Sequence, residues 1–70
     1  MLTGYAATKR VNKRLEDEGF KAIPPQMIYQ YMSKGYITTE LIEGKKLVTE
    51  DEIDAWTSKY IARKKARASI

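Results

Sequence analysis

Three groups of side chains in this chain have types and spacings that could do chemistry, and all three suit an anionic partner. Gln26, Gln30 and Ser33 recur at intervals that gather them on one side of a helix. A glutamine amide offers a donor and an acceptor together, the pair that adenine presents in the major groove. Met27 and Tyr29 lie between them as large groups on outward surfaces, placed to touch thymine methyls or a sugar edge, although Tyr29 could equally pack against the preceding helix. Lys45 and Lys46 follow a Glu43-Gly44 turn, and with Lys21 and Lys34 they supply point charges for phosphate, with Glu43 expected to point outward. The third group, Arg63, Lys64, Lys65 and Arg67, closes the chain and suits an acidic protein surface.

Composition narrows the chemistry further. Cysteine and histidine are both absent, which removes disulfides, zinc fingers, thiol nucleophiles and imidazole acid-base chemistry together. Five tyrosines are present, but no arginine-histidine constellation exists to activate one as a nucleophile. The expectation is a binding protein with no cofactor, not an enzyme. The net charge of +4 points to an acidic partner. Lys9, Arg10, Lys13 and Arg14 form one basic cluster, Lys45 and Lys46 a second, and Lys59 to Arg67 a third. Acids concentrate at Glu16 to Glu18 and Glu50 to Asp54, which suggests separate positive and negative faces; the alternative is that these charges solvate helices. No run of about 18 apolar residues and no signal-peptide order is present, so a soluble cytoplasmic protein, away from membranes, is expected.

Seventy residues make one small domain, and the elements that position these groups can be read from caps and periodicity. Thr3 caps a first helix of about residues 4 to 18, with Ala7, Val11 and Leu15 inward. Gly19 stops it, Phe20 and Ile23 anchor the turn, and Pro24-Pro25 open a second helix that Gly35 closes, with Ile28, Tyr31 and Met32 inward. Residues 36 to 42 and 45 to 48 have strand composition around the Glu43-Gly44 turn. Thr49 and Glu52 match a capping box for a third helix of about residues 50 to 65, with Ile53, Trp56 and Tyr60 as its core stripe. Residues 62 to 70 read as frayed. The fold class is mainly α with a small β-hairpin: a winged helix-turn-helix of three helices plus a two-stranded wing, over residues 1 to 62, followed by a basic C-terminal tail over residues 63 to 70.

The paired Ala6-Ala7, the run Ser33-Lys34-Gly35-Tyr36-Ile37, then Glu43-Gly44-Lys45-Lys46-Leu47 and Thr49-Glu50-Asp51-Glu52-Ile53-Asp54-Ala55-Trp56 resemble the phage excisionase family, notably its mycobacteriophage type, related to the MerR-like regulators. The resemblance covers about residues 2 to 60. It implies a recombination directionality factor: a non-catalytic protein that binds repeated sites in attachment-site double-stranded DNA beside neighbouring copies of itself, bends the DNA, and steers a tyrosine integrase toward prophage excision. Such domains usually cap the second helix with serine or threonine where this chain has Pro24-Pro25, and commonly carry arginine where Gln30 stands. The DNA sequence recognised is therefore not transferable from the family. A small transcriptional regulator, or a protein-protein adaptor docking through its basic tail, are the competing readings.

Overall fold

The computed structural model describes residues 1–68. It is mainly helical, with the order α1 (Gly4–Asp17), α2 (Pro25–Ser33), β1 (Glu40–Ile42), β2 (Lys45–Leu47) and α3 (Glu50–Ala68). Helix α1 packs against both α2 and α3, and β1 pairs with β2 in an antiparallel hairpin.

The Thr3 hydroxyl starts α1 by accepting the Ala6 N–H at 3.2 Å. One face of the helix then brings Ala7, Val11 and Leu15 to zero exposure. Thr8 shares this buried face at little cost, because its hydroxyl donates to the Gly4 carbonyl at 2.7 Å. At the far end the Phe20 N–H reaches back to the Leu15 carbonyl at 2.7 Å and Gly19 to Glu16 at 3.0 Å, which reverses the chain and lays Phe20 against the core. Asn12 clamps the following loop at two points: its Oδ1 accepts the Ile23 N–H at 2.8 Å and its Nδ2 donates to the Ile23 carbonyl at 3.0 Å. That clamp fixes where the chain enters α2. No side chain caps α2, and Pro25 at its first position has no amide proton to leave unsatisfied.

Ile28 and Met32 are the buried residues of α2. The helix closes through Gly35 at φ 81°, a left-handed conformation that a side chain would strain, with the Tyr36 N–H bonded to the Tyr31 carbonyl at 3.0 Å. The first strand is shorter than its composition suggests, three residues against seven expected. Ile37 is drawn into the core at 2% exposure, so residues 36 to 39 bring the chain back from α2 before pairing begins. Glu40, Leu41 and Ile42 then face Leu47, Lys46 and Lys45. Glu43 (φ 51°) and Gly44 (φ 77°) make the mirror-type turn whose twist matches a tight hairpin. Just beyond β2, Val48 is bridged to Leu2 by bonds of 2.7 and 2.9 Å, and among the described residues no third strand joins the hairpin.

Thr49 caps α3, accepting the Glu52 N–H at 3.1 Å. The buried stripe of α3 is Ile53, Thr57 and Ile61, not Ile53, Trp56 and Tyr60; the two aromatics are half-buried on the flank. Burying a threonine is tolerated because its hydroxyl donates to the Ile53 carbonyl at 2.6 Å. Removing the half-buried Trp56 ring is accordingly expected to cost less than the roughly 3 to 5 kcal/mol typical of a fully buried aromatic. The expected frayed end is also corrected, since α3 runs unbroken past residue 62 to Ala68. Residues 69 and 70 of the expected tail lie outside the described residues. The molecule measures 44 × 20 × 19 Å, longer than wide because of this helix.

Part of the first basic cluster is paired with the second acidic cluster. Arg10 grips Asp54 with two bonds of 2.8 and 2.9 Å and approaches Glu50 at 3.8 Å. Arg14 donates to the Asp54 carbonyl and to Ser58 Oγ, both at 3.1 Å. Half of the first basic cluster thus joins α1 to α3.

Candidate nucleic-acid interface

Helix α2 is short, and its two buried residues fix its orientation. With Ile28 and Met32 inward, the helical period turns Gln26, Gln30 and Ser33 outward, and all three are exposed. Tyr29 and Tyr31 fall on opposite flanks of the helix. Tyr29, 47% exposed, leans over the start of α1, where a Cβ on Gly4 would stand only 2.7 Å from the ring Cζ. Glycine at that position is what lets the ring sit there. Met27 differs from expectation: it is half-buried and packs on the core, so its side chain is not a free outward group. Lys34 is exposed at the C-terminal cap of α2, and Lys21 is exposed in the loop before it.

The hairpin folds back beside this helix. A groove of about 270 Å³ lies between them, lined by Thr3 and Gly4 at the start of α1, by Tyr29, Met32 and Ser33 of α2, and by Lys45, Lys46 and Leu47 of β2. Four of the residues singled out from the sequence are therefore brought to one site. Gln26 and Gln30 lie on the adjoining exposed face of α2, while Lys21 is in the loop at the opposite end of α2 from Ser33. Glu43 is exposed in the turn, as expected. Thr3 and Gly4 were not among the anticipated site residues. Their placement depends on the Leu2–Val48 bridge, a pairing of residues 46 positions apart for which the local pattern holds no signal.

The basic residues after residue 62 are exposed on the last turns of α3. Lys65 reaches Glu18 at the end of α1, 2.8 Å away, and Lys64 lies 5.3 Å from the Tyr60 ring centroid. Hydrogen bonding and charge from Lys65 hold the Glu18 carboxyl below its ordinary pKa, and Arg10 does the same for Asp54. Asp54 in turn raises Arg10, so this guanidinium stays a fixed cation of the α1–α3 contact. Among the described residues no helix is long and apolar enough to cross a membrane. No protein-family model, no curated protein and no solved structure matches this chain, so the arrangement of its own side chains carries the functional reading.

Proposed function

We propose that this chain is a sequence-specific DNA-binding protein of winged helix-turn-helix type, with α2 as the recognition helix and the β1–β2 hairpin as the wing. One observation carries the reading: Tyr29 and Ser33 of α2 share a groove with Lys45 and Lys46 of β2, beside the exposed amides of Gln26 and Gln30. A helix with paired hydrogen-bonding side chains suits base edges in the major groove, and two lysines beside it suit the phosphates that border that groove. Gln30 reads adenine, Gln26 and Ser33 support it, Tyr29 packs along a sugar edge, and Lys34, Lys45 and Lys46 hold phosphate.

The activity proposed for this interface is that of an accessory factor for prophage excision. Several copies occupy repeated sites beside a tyrosine integrase, each contributing part of a bend whose elastic cost, a few kcal/mol, is shared over their phosphate contacts. The exposed cations at the end of α3, Arg63, Lys64 and Arg67, face the integrase or a neighbouring copy. Footprinting on attachment-site DNA tests this reading. Several phased protected sites beside an integrase site are expected, whereas a single protected operator over a promoter would make the chain a transcriptional regulator.

A further inference from the structure

We infer that this chain carries a second nucleic-acid site, a cation-bordered aromatic groove between α2 and α3 that takes a short single-stranded segment through its unpaired bases. Trp56, Lys59, Tyr60 and Arg63 recur on α3 at i, i+3, i+4 and i+7, which sets rings and cations along one side of the helix. Tyr31 of α2 and Tyr36 just after that helix complete the lining of a groove of about 490 Å³. The rings form a continuous run. Tyr36 meets Tyr31 edge-on at 5.8 Å, Tyr31 meets Trp56 at 5.5 Å with planes 46° apart, and Trp56 stacks on Tyr60 at 5.1 Å. The buried stripe of α3 is already supplied by Ile53, Thr57 and Ile61, which leaves Tyr31, Trp56 and Tyr60 half-buried and Tyr36 67% exposed.

None of the residues lining the groove is acidic, and Lys59 and Arg63 are both exposed in it. Its occupant is therefore anionic and carries flat groups that lie against rings. A nucleic-acid strand has both properties at every residue, a phosphate and a base. In a duplex each base is paired and covered by its stacked neighbours, so only its edge is on offer. An unpaired base presents its faces, and stacking on tyrosine or tryptophan accepts any base because every base has a π-face. An acidic peptide would satisfy the two cations but set mostly non-planar side chains against four rings. A run of four rings also exceeds what one base covers, so a segment of several nucleotides fits it better than a free mononucleotide. Arg63 belongs to this groove as well as to the exposed cations at the end of α3, whereas Lys64 and Arg67 do not line it.

The site uses none of Gln26, Gln30, Lys45 and Lys46, so it stands or falls separately from the duplex-binding reading. Trp56 is the only tryptophan and lines the groove, so its emission reports occupancy directly. Titration of the full chain at low salt with a 12-nucleotide DNA strand that cannot pair with itself is expected to quench Trp56 with a Kd of about 1 to 100 µM. Lys59→Ala/Arg63→Ala and Lys45→Ala/Lys46→Ala each lower the net charge from +4 to +2 by removing two cations, so any difference between them reflects position and not total charge. The first pair should weaken the single strand at least fivefold more than the second, and the second should be the one that weakens duplex DNA. Tyr36→Ala keeps every charge and should weaken the single strand about fivefold or more through lost stacking. All three of Tyr36, Lys59 and Arg63 are exposed, and far-UV circular dichroism verifies that the variants keep the fold. A single strand that leaves Trp56 emission unchanged up to about 100 µM, the range of ordinary non-specific binding, overturns the inference. So does an equal loss in the two charge-matched variants, which would place the strand on the hairpin, or a Tyr36→Ala variant that binds like wild type. A deoxynucleoside monophosphate or a glutamate-rich peptide that binds as tightly as the strand overturns it as well, by making the groove a small-molecule or a protein site.

Discussion

Gln30 stands on the exposed face of α2, roughly opposite Ile28 and Met32, where its amide is bound to nothing in the protein's core. Its replacement therefore separates recognition from folding. Gln30→Ala is expected to lose about 1 to 3 kcal/mol of discrimination at one or two base pairs with no change in thermal midpoint. Competition between cognate and scrambled duplexes checks this, and unchanged discrimination would remove Gln30 from base reading. Asp54 does the opposite work, holding α1 to α3 through Arg10. Its carboxyl is depressed in the folded state, so the stability it contributes is present above the ordinary carboxylate pKa and is lost as pH falls through the lower folded value. Asp54→Asn should flatten the acid limb of a plot of thermal midpoint against pH, modestly because both partners are at the surface. A variant curve parallel to wild type down to about pH 3 would show that the pair adds nothing.

Among the elements, α2 depends on a seat supplied by α1. The Tyr29 ring occupies space over Gly4 that any side chain would fill, and Tyr29 is exposed enough to swing away. Gly4→Ala should consequently leave stability within about 1 kcal/mol while displacing the ring from the groove and weakening DNA binding; a variant that binds DNA like wild type would make Tyr29 a bystander. The starts and stops of α1 and α2 and the Glu43-Gly44 turn could be read from the chain alone, because capping hydroxyls, prolines and left-handed glycines act within a few residues of themselves. The buried face of α3 could not. Trp56 and Tyr60 outrank Thr57 in apolarity, yet Arg10 and Arg14 on α1 hold α3 by Asp54 and Ser58, and that rotation turns Thr57 inward. Ile37 shortened β1 for a similar reason, since core burial outweighed strand composition. The basic end continues as the last turns of α3, where Ala, Arg and Lys favour a helix and Lys65 meets Glu18 across 47 positions of sequence.

At the scale of the whole molecule, a net charge of +4 is distributed by the fold rather than by the sequence order. Arg10 and Arg14 are consumed in the α1–α3 contact, whereas Lys45 and Lys46 remain exposed beside α2. The hydrogen-bonding side of α2 was visible in the spacing of Gln26, Gln30 and Ser33, but its union with the hairpin rests on the distant pairing of Leu2 with Val48. DNA binding by the joint surface of α2 and the hairpin is tested most directly by the salt dependence of duplex affinity, compared between wild type and Lys45→Ala/Lys46→Ala. Wild type should bind duplex DNA with an affinity that falls steeply with salt, and the variant should bind specific and scrambled duplexes more weakly with a salt slope smaller by about one to two. Absence of duplex binding at low salt, or a slope identical in the two proteins, would contradict it.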